Sequence, residues 1–169
     1  MIDAIEKAID REDWPKARRL IRNDLKRHPR NHWLLNRLGL TYYEQLDFKR
    51  AVQYIEKALK IAPHCPLALW DLAHCKDMQN QWGEAVALYR KIIRRGVERI
   101  AHGDCGQGKA WARGLVADCH FRMAICYNDM RRKKLAIKAM KDHLGLRGPG
   151  CRSNYEIEHV RGRLRRLEE

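Results

Sequence analysis

Four side chains with metal-binding or nucleophilic chemistry, His102, Cys105, Cys119 and His120, lie in or just after a glycine-rich stretch, RIAHGDCGQGKAWARG (99–114). Structural zinc sites use short CxxC or HxxxH pairs at fixed intervals. His102-x2-Cys105 supplies one such half, whereas the adjacent Cys119 and His120 point to different faces of a helix. The same stretch holds Gly103-x4-Gly108-Lys109, part of a phosphate-binding loop. The residue that should carry the magnesium-binding hydroxyl is Ala110, and the segment follows a helix where such a loop follows a strand. The plainer reading is a glycine-rich turn leading into a helix that starts near Lys109; its extra turns, carrying Trp111 and Leu115, either offer a partner surface or, as the favoured reading, pack on the helix expected over 82–100. Ser153 is the only serine and reads as a helix cap, and no cysteine stands in a recognised nucleophile context. Most carboxylates fall on helix surfaces, where solvation is their ordinary role. The chain is therefore expected to have no catalytic residues, no metal and no cofactor, and not to be an enzyme.

Composition narrows the class. Of 169 residues, 45% are hydrophobic, which excludes a wholly disordered chain, and only 5 are proline and 11 glycine, which favours helices throughout. No apolar run approaches the roughly 20 residues that span a bilayer, and MIDAIEKAIDRED has neither the basic nor the apolar part of a secretory leader. The six cysteines (65, 75, 105, 119, 126, 151) are widely spread in a chain large enough to need no staples, so reduced thiols and a cytoplasmic location are expected. The net charge of +14 is shared along the chain: 19 Lys and Arg against 12 Asp and Glu in residues 1–97, and 16 against 9 in 98–169. Such a balance attracts acidic partners, nucleic acid among them.

The elements that position these residues repeat. Trp14, Phe48 and Trp82 are 34 residues apart, as are Ala17, Ala51 and Ala85; Ile21, Ile55 and Tyr89; and Pro29, Pro63 and Val97. A 34-residue period marks stacked helix–turn–helix units. The clearest copy is Leu35, Leu38, Gly39, Tyr42, Ala51, Ile55, Ala58, Pro63; the next is Leu69, Leu72, Ala73, Ala85, Tyr89, with Lys76 at the Tyr position. Met123, Ala124, Tyr127, Ala136 and Met140 restore the pattern 51 residues on, one period plus a 17-residue insertion. Cys75 and Cys126 share a repeat position and read as small buried fillers, whereas Cys65 and Cys151 carry no pattern. Helices are expected at 2–9, 13–27, 32–45, 48–61, 66–79, 82–100, 109–129, 133–144 and 153–168, the last with an apolar stripe of Tyr155, Ile157, Val160, Leu164 and Leu167.

These residues resemble the tetratricopeptide repeat pattern W-x2-L-G-x2-Y, A-x3-F, P. The resemblance covers about residues 1–149 apart from the insertion. It implies an all-α, right-handed solenoid in one domain, with units at about 1–31, 32–65, 66–98 and 117–149, an insertion at 99–116 and a capping helix at 153–168. In that family the first helix of each unit lines a concave surface. Carried over by position, the lining is Trp33, Asn36, Arg37, Leu40 and Tyr43 from one unit; Leu67, Trp70, Asp71, His74, Asp77 and Met78 from the next; and Phe121, Arg122, Ile125 and Asn128 from the displaced one. Some members hold acidic chaperone tails in a clamp of Lys, Arg and Asn. Here Asn36 and Arg37 fit, whereas Leu40 and Asp71 stand where polar or basic groups belong.

Three readings follow. The first is a non-catalytic adaptor that holds a peptide or helix of another protein, acidic or mixed in character, in the groove. The second is nucleic-acid binding, with RRKK (131–134) and RGRLRR (161–166) as basic patches that are otherwise solvated helix surface. The third is self-association into a homo-oligomer through the aromatic face or the last helix. Occupation of the apolar face by the chain's own termini or by its C-terminal helix is the structural alternative to partner binding there. A membrane partner is not expected.

Overall fold

The computed structural model describes residues 2–169. The helices are α1 (Ile2–Asp10), α2 (Trp14–Arg27), α3 (His32–Tyr43), α4 (Phe48–Ile61), α5 (Pro66–Met78), α6 (Trp82–Arg95), α7 (Val97–His102), α8 (Lys109–Asp129), α9 (Lys133–Leu146) and α10 (Ile157–Glu168), and the described residues contain no strand. The chain is an all-α array of helix–turn–helix repeats of the α-solenoid class.

Local chemistry sets the helix starts. Asp13, Asn31 and Asp47 accept hydrogen bonds from the backbone N–H groups of Lys16, Leu34 and Arg50 at 3.1, 3.2 and 3.1 Å. Each satisfies one of the donors that a helix N-terminus leaves unpaired. Pro15 sits in the first turn of α2, where its missing N–H costs nothing. The turns repeat as faithfully as the helices. Glu12, Leu46 and Asn80, each 34 residues after the last, have φ of 55°, 60° and 60°, and Arg131, 51 residues beyond Asn80, has φ 56°. A left-handed residue two positions before each second helix thus turns the chain back, and its recurrence places the period in the backbone itself.

The chain forms two compact units that meet between Cys75 and Lys76. In the first, α2 packs on α1 and on α3, and α3 on α4. Ile5, Ala17, Ile21, Leu38, Ala51, Ile55 and Ala58 are buried there. Each of the large ones contributes about 1.5–3 kcal/mol by leaving water. Gly39 lets α3 and α4 touch: a Cβ on it would lie 2.6 Å from Ile55 Cγ1 and 3.1 Å from the Ala51 carbonyl. In the second unit α8 packs on α6, α7 and α9, and α10 on α9, around buried Tyr89, Ile92, Ile100, Ala124, Met140 and Val160.

Two expectations require correction. The helix expected over 82–100 breaks at Gly96, whose φ of 77° ends α6 and opens α7. The helix expected from Ser153 starts at Ile157. Ser153 is no cap of that helix, because its hydroxyl is bound to Asp118 of α8 at 2.5 Å. Within the inserted stretch, α7 and the loop 103–108 lead into α8, which begins about two helical turns before the start expected for the displaced unit at about 117.

Candidate functional site

The first-helix positions divide between the two units. In the first, Trp33, Arg37, Leu40 and Tyr43 follow one another at helical spacing along α3 and are half-buried, while Leu34, Leu35, Leu38 and Tyr42 face the core. The Arg37 guanidinium lies 5.2 Å from the centre of the Trp33 ring, and its Nε pairs with Glu6 of α1 at 2.8 Å. On α5, Leu67, Trp70 and His74 are half-buried. The Trp70 and His74 rings meet edge to face with centres 4.4 Å apart, and Tyr43 meets His74 in the same way at 6.4 Å. The His74 ring is oriented by Nδ1, which donates to the Trp70 carbonyl at 3.2 Å. The result is an aromatic ladder shared by α3 and α5, with an arginine at one end.

Beneath it, the Asn36 amide donates to an Asp71 carboxylate oxygen at 2.7 Å. Asn36 is buried, so its expected place on the groove surface is corrected: its short polar side chain turns inward to the carboxylate. Burial pushes the Asp71 carboxyl up to about 6, against the opposing effect of the Asn36 hydrogen bond and the Arg37 charge.

The second unit treats the same positions differently. Asp77 is buried, pairs with the Arg122 guanidinium and accepts from the Cys126 thiol at 3.6 Å. Burial, reinforced by Asp77, pushes that thiol up to about 12, so it is no nucleophile. Phe121, expected to face a partner, is buried beneath the chain's own C-terminal segment. Tyr155 lies tilted over it with ring centres 4.1 Å apart, and the His159 ring and Arg163 guanidinium stand 6.2 and 6.0 Å from its centre. Ile125 and Asn128 line a hollow closed on its other side by Arg163, Arg166 and Leu167 of α10. Met78 is exposed.

That covering is built from the sequence upward. Residues 152–155 run along one stripe of α8 formed by Ala110, Gly114, Asp118 and Phe121. The Arg152 N–H donates to the Ala110 carbonyl at 3.1 Å. A Cβ on Gly114 would land on the Arg152 carbonyl, so only glycine admits the crossing. Asp118 then takes the Ser153 hydroxyl at 2.5 Å and the Asn154 N–H at 2.9 Å. The inserted turns of α8, together with Asp118 and Phe121 of the displaced unit, are thus the seat of the C-terminal segment. Gly114 and Asp118 had no distinguishing mark in the sequence; a glycine and a buried carboxylate four residues apart on one helix were the only available signal.

Three of the residues considered for metal and phosphate chemistry have ionic neighbours. His102 lies 3.8 Å from Glu98, Lys109 pairs with Glu98 at 2.9 Å, and His120 lies 3.8 Å from Asp142. Cys119 is fully buried, and burial raises its thiol well above the ordinary range.

Two models described as tetratricopeptide repeat match the chain, at residues 3–64 and 42–102, together spanning 3–102. No curated protein matches its sequence. Among solved structures, it is similar to MamA (residues 41 to the end) from Desulfovibrio magneticus RS-1, with TM-score 0.74 and 16% identity over 98% of this chain and 80% of that one. It is also similar to BtubC from P. vanneervenii, with TM-score 0.75 and 17% identity over 96% and 68%. The N-terminal domain of stress-induced protein-1 from C. elegans gives TM-score 0.64 and 19% identity over 82% and 94%. At such identities these likenesses speak for the fold alone. No described helix is long and apolar enough to cross a membrane.

Proposed function

The chain belongs to the tetratricopeptide repeat family, and from that premise we propose that it is a non-catalytic adaptor whose first-helix face in the first unit holds a peptide or helix of another protein. The observation that carries this reading is the half-buried ladder of Tyr43, His74 and Trp70. Trp33, Leu40 and Leu67 extend the same partly open apolar character. Trp, Tyr and Arg dominate binding energy where they are clustered and half-desolvated, because each removes much area from water at small entropic cost.

The two carboxylates of this face, Glu6 and Asp71, are engaged by Arg37 and Asn36. Recognition is therefore mainly apolar, with Arg37 as the charged contact for a carboxylate of the partner. The corresponding face of the second unit takes no part, since Tyr155 and α10 occupy it.

The test uses peptides selected on the immobilised protein from a random display library and then titrated in solution. Trp70→Ala should weaken the selected peptides about tenfold or more while leaving the far-ultraviolet circular dichroism unchanged. Equal affinity for the variant and the wild type would remove the face from consideration.

A further inference from the structure

The net charge of +14 has a structural address. The second helices of the repeats, α2, α4, α6 and α9, carry six, four, four and four Lys and Arg and one carboxylate each. Those eighteen cations and four anions account for the whole excess. The remaining residues hold seventeen of each sign, which follows from totals of 35 and 21. All but two of the eighteen cations, Arg18 and Arg95, are exposed.

In the first unit the cations converge. The guanidinium carbons of Arg18 and Arg50 stand 5.1 and 5.4 Å from the centre of the buried Tyr42 ring, and Arg22 donates to the Tyr42 hydroxyl at 2.6 Å. An open hollow of about 520 Å³ is lined by these three arginines with Tyr42, Gln45 and Asp47. A second hollow shares Arg18 and Arg22 and continues along α2 past Arg19 to Lys26. Arg50 is paired with Asp47, but among the described residues no cation of α2 is ion-paired. Arg18 also donates to the Thr41 carbonyl and to Gln45, at 3.3 and 2.5 Å, so these neutral groups hold the guanidinium in place without offsetting its charge. Ten cations against two carboxylates on α2 and α4 repel one another unless an anion offsets them.

We propose that this face of the first unit is a second binding surface, for the phosphodiester backbone of a single-stranded nucleic acid, recognised without reading its sequence. Guanidinium forks match phosphate oxygens in geometry as well as charge. A bilayer fits less well, because surface-bound helices interleave apolar side chains with their cations. Among the described residues, the exposed large apolar ones, Ile2, Leu46, Met78 and Leu135, all lie outside α2 and α4. A flexible strand can follow cations gathered around one ring, and it needs no reading element in a duplex groove. The surface is independent of the first-helix face and survives the failure of the adaptor reading.

The probe is a labelled 30-residue oligouridylate titrated by fluorescence anisotropy from 50 to 300 mM salt. The expected result is binding whose logarithm falls linearly with the logarithm of salt concentration, with a slope of about −2 to −4, and equal binding of oligothymidylate. Arg19→Glu with Lys26→Glu should weaken binding about tenfold or more at 100 mM salt with helicity intact. Lys7→Glu with Arg11→Glu, the same loss of net charge placed outside α2, should weaken it less than about threefold. No binding at 50 mM salt, or equal losses in the two variants, would overturn the proposal. So would displacement of the oligonucleotide by poly-glutamate or phosphatidylserine vesicles at equal charge concentration.

Discussion

Arg22 of α2 donates to the hydroxyl of Tyr42 on α3 at 2.6 Å, and 68 residues later Arg90 of α6 donates to the hydroxyl of Tyr127 on α8 at 2.7 Å. The partners are 20 residues apart in the first pair and 37 in the second, and the difference of 17 equals the insertion. The repeat therefore fixes a spatial relation between a second helix and the next first helix, and the chain between them can lengthen without disturbing it. Tyr42→Phe and Tyr127→Phe should each cost about 1 kcal/mol, the net worth of one such bond. The double variant should cost their sum, since the pairs share no neighbour. Urea denaturation of the three proteins measures this, and a cost near zero for either single change would remove the bond as a structural element.

Gly114 and Gly83 make a second, paired prediction. A methyl group on Gly114 meets the Arg152 carbonyl, whereas one on Gly83 meets nothing within 4 Å. Gly114→Ala should lift residues 152–155 off α8, cost about 2 kcal/mol or more, and expose that segment to limited proteolysis. Gly83→Ala should be neutral or stabilising by up to about 1 kcal/mol. The rate of trypsin cleavage at Arg152 in the two variants decides it; equal rates would argue against the crossing.

Asp71 gives a pH dependence. Its carboxyl is raised by burial from 3.8 to about 6 in the folded chain. Between those values the native state binds more protons than the unfolded one, so this group's contribution to stability falls as pH rises and is lowest above about 6. Asp71→Asn retains an acceptor for Asn36 and removes the charge. It should match the wild type near pH 4 and exceed it by about 1–2 kcal/mol at pH 7.5, a figure reduced for the partial exposure of the group. Thermal melts of both proteins across that range give the gap, and a gap that does not change with pH would contradict the assignment.

The period was legible in the sequence because each of its positions has a steric reason. Ala17, Ala51 and Ala85 are fully buried at helix crossings, and the apolar positions between them form the core. Asp13, Asn31 and Asp47 cap α2, α3 and α4 close to where the repeat placed their starts. The break at Gly96 was not legible, since a single glycine in a helical pattern is as often tolerated as used to turn the chain. The fate of Phe121 was not legible either. Whether a groove position faces water or the chain's own end depends on residues more than 30 positions away. The anchor on Asp118 is made by one hydroxyl and one backbone N–H, neither of which leaves a pattern. Asn36 and Asp77 were read as surface groups for the same reason, their partners Asp71 and Arg122 being set by packing.

The partition of charge makes the first unit electrically lopsided, with an arginine-rich back and an aromatic, nearly neutral front. On a sulfonated chromatography bead it should settle with α2 and α4 against the resin and Trp70 turned to the mobile phase. Immobilisation by ion exchange would then orient the molecule with its aromatic side free, whereas random coupling through lysine would tend to block the arginine-rich side.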